Sequence, residues 1–160
     1  MTIEIIGPEV EGRLDWIALT EAIAAGHRLP RAEVADTILR RGADTLLTRS
    51  AWIDGLGLAV KAASLVTKWK TAGDSLLAAR RLARSDSRDI LIVGAGAVAH
   101  SLVESYSAGF PGARFTIWAR DPDAARAFAD ATGATPATDL AAAVGAADII
   151  TSATMATAPL

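Results

Sequence analysis

The chain has 160 residues, of which 51% are hydrophobic and 21% charged, a formal net charge of −2 and no cysteine. This composition and length suit a globular chain with one substantial core or two small ones, which excludes a disordered protein. The near-neutral charge, without a long basic run, gives no electrostatic basis for nucleic-acid binding. The absence of cysteine excludes disulfides and cysteine-ligated metals and fits an intracellular protein.

Two helices are predicted first. Residues 14–25 carry apolar side chains at helical spacing, and Gly26 follows as a C-terminal cap. After Pro30, residues 31–41 form a second amphipathic pattern that stops at Gly42. The inward side chains of this second helix would be Val34, Ile38 and Leu39.

A hairpin is predicted next. Residues 45–53 and 56–66 are typical of strands, and Asp54-Gly55 between them is a turn signal. Lys61 interrupts an otherwise apolar run in the second strand. It could be an edge lysine that protects the strand from pairing with other chains. It could equally be a partly buried amine that pairs with a carboxylate substrate near a cofactor.

A further helix over residues 71–84 would bury one face and end in a basic turn. The side chains on that face are Ala72, Leu76, Ala79 and Ala83. The polar residues 85–88 then form a loop before the strand that leads into a glycine-rich turn. We therefore expect an N-terminal unit of residues 1–68 and a second domain of residues 69–160.

The strongest motif is a glycine-rich turn after the apolar run at residues 90–93. Such a continuous run is typical of a strand covered on both faces in a parallel sheet. In the Gly-x-Gly-x-x-Ala turn, Gly94 would permit the tight turn, Gly96 the close approach of a pyrophosphate, and Ala99 close helix packing.

The helix predicted over residues 97–108 would direct its free N–H groups, including those of Ala97 and Val98, at that pyrophosphate. The alternative is an ordinary strand–helix turn in an alanine-rich chain. The strand before the turn, the helix after it and a second strand at residues 114–119 favour dinucleotide binding.

Two more strands are predicted, at residues 133–137 and from Asp148 onward, with a helix up to residue 131 and another that Thr138 caps. Leu140 and Val144 would face inward from that last helix. Four strands alternating with three helices make about half of a dinucleotide-binding sheet. The predicted fold class is α/β, a partial Rossmann-type parallel sheet beside a smaller N-terminal α+β unit for substrate binding and dimerisation.

The end of the second strand bears on the choice of nucleotide. An acidic residue there would accept a hydrogen bond from the ribose 2′-OH, whereas an arginine accommodates a 2′-phosphate. The chain has Arg120 first and Asp121 second. NADP(H) is therefore favoured over NAD(H), although Asp121 could be a helix cap and Arg120 a surface charge.

Other chemistries have little support. Two separated histidines and no cysteine provide no compact metal-ligand set, and no Gly-x-Ser-x-Gly elbow is present for a serine hydrolase. The first residues lack a basic region followed by an apolar segment, so we expect no secretory signal, and no apolar stretch is long enough to span a bilayer. A cytoplasmic enzyme that uses a nicotinamide cofactor is the remaining expectation.

Several segments, in order, resemble the ornithine cyclodeaminase/mu-crystallin family. They are residues 56–61 (Leu-Gly-Leu-Ala-Val-Lys), 70–72, 77–80, 82–84, 92–96 (Ile-Val-Gly-Ala-Gly), 117–120 (Ile-Trp-Ala-Arg) and 147–154. The resemblance implies a substrate-binding and dimerisation domain beside a Rossmann domain that holds NAD(P). Relative to the family, the chain is shorter between Lys61 and Lys70 and ends earlier, before remaining sheet strands and an acidic residue expected to help catalysis.

By position in the family pattern, Lys61 resembles the active-site lysine, and Lys70 stands where an arginine usually grips the substrate carboxylate. Arg49 is a looser match to a second carboxylate partner. Thr71 resembles a threonine on the nicotinamide side of the site. Ala153 and Thr154 resemble a later cofactor contact.

The resemblance implies three possible functions. The first is an NAD(P)H-dependent reductase that converts a cyclic ketimine such as Δ1-pyrroline-2-carboxylate into proline. The second is an ornithine cyclodeaminase, which forms proline and ammonia from ornithine with bound NAD. The third is a dinucleotide-binding module without catalysis. The expected substrate of the two enzymes is a small cyclic imino acid or an amino acid, and the protein is expected to be a homodimer.

Overall fold

The computed structural model describes residues 8–41, 44–62, 64–154 and 156, which form two separate β-sheets and their helices. In chain order the elements are a 3-10 helix Pro8–Arg13, α1 (Trp16–Gly26), β1 (Glu33–Arg41), β2 (Asp44–Ile53), β3 (Gly57–Ala62), α2 (Ser64–Leu82), β4 (Asp89–Val93), α3 (Ala97–Gly109), β5 (Arg114–Trp118), α4 (Pro122–Thr132), β6 (Thr135–Pro136), α5 (Leu140–Ala146) and β7 (Ile149–Ser152). The predicted α/β class is confirmed.

The second sheet is parallel throughout and has the strand order β6-β5-β4-β7. Numbered from β4 as the first strand, this is the order 3-2-1-4 of one half of a Rossmann fold. The four predicted strands are therefore confirmed. The third of them, β6, is only two residues long.

The core of this half lies between the sheet and helices α2 and α3. Ile90 and Ile92 of β4 and Ile117 of β5 are at most 1% exposed, and they belong to the same buried cluster as Leu76 and Leu102. The predicted inner face of the helix before β4 is confirmed, since Ala72, Leu76 and Ala79 are all buried. Strand β4 is apolar over residues 90–93, as a strand of a parallel sheet covered by helices must be.

The first sheet is antiparallel, in the order β1-β2-β3, and the predicted hairpin between β2 and β3 is confirmed. Its turn contains Gly55 at φ 79°, which suits glycine. The helix predicted over residues 31–41 is wrong, because Glu33–Arg41 is strand β1 and pairs along its whole length with β2. The side chains predicted to face inward, Val34, Ile38 and Leu39, are 55%, 53% and 62% exposed. The predicted stop, Gly42, lies outside the described residues.

The strand predicted over residues 56–66 is too long, and the helix predicted over 71–84 starts too late. Strand β3 ends at Ala62 and α2 begins at Ser64. A short apolar run fits a strand or a buried helix equally well by periodicity, and here its second half joins the helix. The predicted domain boundary between residues 68 and 69 falls within α2, and the division into two domains stays a prediction.

Three details at helix ends also differ from the sequence analysis. Gly26 is the last residue of α1 and His27 occupies the cap. Helix α5 is capped by Asp139, whose carboxylate accepts the Ala142 N–H at 3.1 Å, and not by Thr138. Val144, predicted to face inward, is 42% exposed. Among the described helices, none is long and apolar enough to cross a membrane.

Candidate functional site

The glycine-rich turn lies at the carboxyl end of β4, where Gly94 has a φ of 106°. Its N–H donates to the Trp118 carbonyl at 2.8 Å, which joins the turn to the end of β5. A Cβ on this residue would stand 2.5 Å from the carbonyl oxygen of Ala153. Gly94 is thus required both for its backbone conformation and for the close passage of the chain after β7.

Gly96 stands at the start of α3 in an extended conformation and has open space around it. A Cβ built there would meet no atom within 4 Å, so the backbone is accessible to a ligand. The first N–H groups of α3, at Ala97 and Val98, emerge from the amino end of a 13-residue helix. Ala99 is fully buried, as the motif predicts. This cradle has the shape and the positive dipole end that a diphosphate requires.

The chain after β7 forms one wall of this cradle. The N–H of Ala153 donates to the Val93 carbonyl at 2.8 Å, which extends the parallel pairing of β7 with β4 by one residue. The Cγ2 atom of Thr154 would lie 3.1 Å from a Cβ at Gly94. The two residues predicted as a later cofactor contact are therefore next to the glycine-rich turn.

Arg120 and Asp121 follow β5, the strand adjacent to β4. Asp121 caps α4, and its carboxylate accepts the Asp123 N–H at 2.9 Å. The helix-cap alternative for Asp121 is thus confirmed. Arg120 is exposed, and within the described part of the chain no side chain forms a hydrogen bond or ion pair with it.

Thr71 projects from α2 toward the same edge of the sheet. Helix α2 runs antiparallel to β7, because Arg84 pairs with Asp148 at 2.7 Å and Ser75 lies 3.2 Å from Thr151. Thr71 is one helical turn before Ser75, a rise of about 6 Å on the same helix face. Ala153 is two residues beyond Thr151, a rise of about 7 Å along the strand direction. Thr71 is therefore level with Ala153.

Lys70 shares a different face of α2 with Asp74. The Lys70 ammonium group forms an ion pair with the Asp74 carboxylate one turn later. His27, at the end of α1, places its Nε2 atom 3.8 Å from the other Asp74 oxygen. Neighbouring helix positions differ by about 100° in direction, so Lys70 does not share the direction of Thr71.

Arg49 and Lys61 occupy opposite positions in the antiparallel pair of β2 and β3. Arg49 is also opposite Asp36 of β1 and donates to both of its carboxylate oxygens, at 2.7 and 2.6 Å. The Arg49 hydrogen bonds lower the pKa of Asp36, and the same hydrogen bonds raise that of Arg49. The role of Lys61, Arg49 and Lys70 at a substrate carboxylate stays a prediction.

A partly buried chain of hydroxyl groups, which the sequence alone does not predict, joins α2, α3 and β7. Ser75 Oγ lies 3.0 Å from the Tyr106 hydroxyl and 3.2 Å from Thr151 Oγ1. Burial raises the pKa of Tyr106, so its hydroxyl stays protonated and can donate. Three hydroxyl residues separated by tens of positions in sequence give no local signal, and only the fold brings them together.

The described residues contain no group of three histidine or acidic side chains placed to hold a metal ion. A strand order of 3-2-1-4 with a glycine-rich turn and a helix N-terminus at the central strand defines the class of Rossmann-type α/β domains.

Residues 40–160 match the model of the ornithine cyclodeaminase/mu-crystallin family. The chain belongs to this family, as its sequence motifs predicted.

One relative is a Δ1-pyrroline-2-carboxylate reductase from Paracoccus denitrificans (strain Pd 1222). It is 40% identical over 192 residues, which cover 95% of this chain and 61% of the relative. Those 192 residues exceed the 160 of this chain, so the aligned part of the relative contains additional residues.

Two solved structures share the fold at low sequence identity. The iminosuccinate reductase of Paracoccus denitrificans, in complex with NAD+, has a TM-score of 0.71 and 17% identity, over 95% of this chain and 61% of that one. The Δ1-pyrroline-2-carboxylate reductase of Thermococcus litoralis, in complex with NADH and L-proline, has a TM-score of 0.66 and 18% identity, over 92% of this chain and 60% of that one. The chain spans about three fifths of the length of these relatives.

Proposed function

We propose that this protein is an NAD(P)H-dependent reductase of a cyclic ketimine such as Δ1-pyrroline-2-carboxylate, giving proline. The observation that carries the proposal is the 40% identity to a Δ1-pyrroline-2-carboxylate reductase along 95% of the chain. The glycine-rich cradle supports it, because Gly96 leaves room for a diphosphate at the amino end of α3.

The proposed nucleotide contacts are the cradle and its walls: Gly94, Gly96, Ala97, Val98, Thr71, Arg120, Ala153 and Thr154. Asp121 already accepts a hydrogen bond as the cap of α4, which leaves Arg120 as the group at the end of β5 that can meet a ribose substituent. Because arginine suits a 2′-phosphate, we propose NADP(H) as the preferred nucleotide and NAD(H) as the alternative. The bound nicotinamide would supply the hydride that reduces the C2 atom of the imine.

The proposed catalytic residues are Lys61, Lys70 and Arg49. Lys61 and Arg49 are opposite in register, which supports a shared role at the substrate carboxylate. A protonated imine is a better hydride acceptor, and a lysine beside it can hold or supply that proton. The ammonium group of Lys70 would bind the substrate carboxylate as a point charge. The arginine that is usual at this position of the family would offer a bidentate fork instead.

The decisive experiment follows NADPH oxidation with Δ1-pyrroline-2-carboxylate and identifies proline as the product. In parallel, ammonia release from ornithine is measured without added reductant. Reduction of the imine supports the proposal, whereas ammonia from ornithine would establish the cyclodeaminase activity that family membership allows. NADPH binding by calorimetry with neither reaction would identify a non-catalytic module.

Variants of Lys61 test its assignment. Lys61→Met should lower kcat by about 10²- to 10⁴-fold if the lysine takes part in proton transfer. NADPH affinity should be unchanged, because the cradle lies on the other sheet. A variant with unchanged kcat would remove Lys61 from the catalytic residues.

We also propose a cytoplasmic homodimer that uses the first sheet as its interface. The support is the exposed apolar side chains on both faces of β1 and β2: Val34, Ile38 and Leu47 share one face and Leu39 and Trp52 the other, each at least 46% exposed. Apolar groups of this size in one sheet are typical of an interaction surface. Sedimentation velocity measures the oligomeric state directly.

A further inference from the structure

Among the described residues, Asp74 is the only carboxylate in contact with Lys70. Lys70 is the residue proposed to bind the substrate carboxylate. The two side chains are one turn apart on α2, and their charged groups form an ion pair. An ammonium ion paired in this way offers its charge to an internal carboxylate. A substrate carboxylate can bind Lys70 only if it shares the ammonium group with Asp74 or displaces the Asp74 carboxylate.

The position of Asp74 is fixed by the packing of α1 on α2. At the preceding residue, Gly73, a Cβ would stand only 2.8 Å from Cδ1 of Ile23, so the two helices are in close contact there. The side chain of Asp74 is 28% exposed, and its Oδ1 atom is buried without a hydrogen-bond partner among the described residues. His27 Nε2 approaches this oxygen to 3.8 Å.

Lys70 is 65% exposed and His27 is 68% exposed, so both donors are accessible from solvent around the Asp74 carboxylate. A carboxylate that approaches from solvent can therefore reach the same two basic side chains that flank Asp74. The competition from Asp74 is weak, because an exposed ion pair is worth little.

We propose that Asp74 lowers the substrate affinity of this site by competing with the substrate carboxylate for Lys70. This inference rests on the proposed function, and specifically on Lys70 as the carboxylate partner. Asp74 acts through Lys70 and is therefore a positioning residue, without contact to the reacting atoms.

The test measures the dissociation constant of L-proline by calorimetry at saturating NADP+, so that no turnover is required. Three variants are compared with the wild type: Asp74→Asn, which removes the charge, Asp74→Glu, which keeps it, and Lys70→Met. Asp86→Asn is the matched control, since Asp86 forms an exposed pair with Arg84 away from the cradle. Circular dichroism and thermal melting verify that each variant is folded.

Asp74→Asn should bind L-proline about two- to fivefold more tightly, the equivalent of releasing one exposed ion pair. Asp74→Glu and Asp86→Asn should match the wild type, and Lys70→Met should bind more weakly. Unchanged or weaker binding by Asp74→Asn, beside weaker binding by Lys70→Met, overturns the competition and leaves the proposed function intact. Unchanged binding of L-proline by Lys70→Met also overturns the proposed competition. A wild type that binds NADP+ without binding L-proline overturns both proposals.

Discussion

Replacing Gly94 by alanine should destabilise the fold, whereas the same change at Gly96 should spare the fold and weaken nucleotide binding. The two glycines are two residues apart in one turn and differ in surroundings. Gly94 has a φ of 106°, and its Cβ would lie 2.5 Å from the Ala153 carbonyl oxygen and 2.9 Å from the carbonyl carbon. Gly96 has a φ of −89° and no atom within 4 Å of a Cβ.

The magnitude for Gly94→Ala follows from two costs. A non-glycine residue held in a sparsely populated backbone region costs about 1–3 kcal/mol. The methyl group must also displace the backbone after β7, and overpacking of this kind costs about 1–3 kcal/mol. The free energy of unfolding should therefore fall by about 2–6 kcal/mol, a large share of the roughly 5–15 kcal/mol of a typical domain.

Gly96→Ala should lower the free energy of unfolding by less than about 1 kcal/mol, the usual difference between these residues at a helix cap. Its methyl group would occupy the space that a diphosphate needs. A displacement cost of about 2 kcal/mol weakens NADPH binding about thirtyfold. Urea unfolding and calorimetry measure the two quantities on the same preparations. A Gly94→Ala protein as stable as the wild type, or a Gly96→Ala protein that binds NADPH normally, would refute this account of the turn.

Three further predictions concern other parts of the molecule. Arg120→Ala should weaken NADPH binding about tenfold to a hundredfold, as for a lost hydrogen bond to a charged group, and leave NADH binding unchanged; equal effects on both nucleotides would contradict 2′-phosphate recognition. Hydrogen bonds from the Arg88 and Asp89 backbone lower the pKa of Asp148, so its stabilisation is present above the ordinary carboxyl pKa and is lost as the pH falls through the lowered value. Asp148→Asn should therefore lower the urea midpoint at neutral pH and approach the wild type in acid, and a gap that stays constant with pH would argue against this reasoning. Ile38→Lys, on the exposed surface of β1, should shift a homodimer toward monomer in sedimentation velocity, and an unaffected dimer would place the interface elsewhere.

The parallel sheet was predictable from sequence because its signals are local. The apolar run of β4, the turn glycines and the small residue at the start of α3 lie within ten consecutive residues, and each fills a role that the backbone imposes. The Asp121 cap of α4 is equally local, since the carboxylate bonds two residues ahead.

Strand β1 shows why the first sheet was less predictable. Val34 and Ile38 are four apart and Leu39 follows, a spacing that suits one face of a helix. Positions four apart also share one face of a strand, because side chains alternate with a period of two. The pairing of β1 with β2 along its full length makes this segment a strand and not a helix. That partner begins only at Asp44, so the deciding interaction is not contained in the segment itself.

Lys70 and Thr71 are adjacent in sequence, and the family resemblance assigns Lys70 to the substrate carboxylate and Thr71 to the nicotinamide side of the site. On α2 they point about 100° apart. Thr71 shares the face of Ser75, which reaches Thr151 and through it the edge of the sheet beside Ala153. Lys70 shares the face of Asp74, which packs beside the end of α1. If Lys70 binds the substrate carboxylate and Thr71 lies beside the cofactor, the ligand must extend across the amino-terminal half of α2.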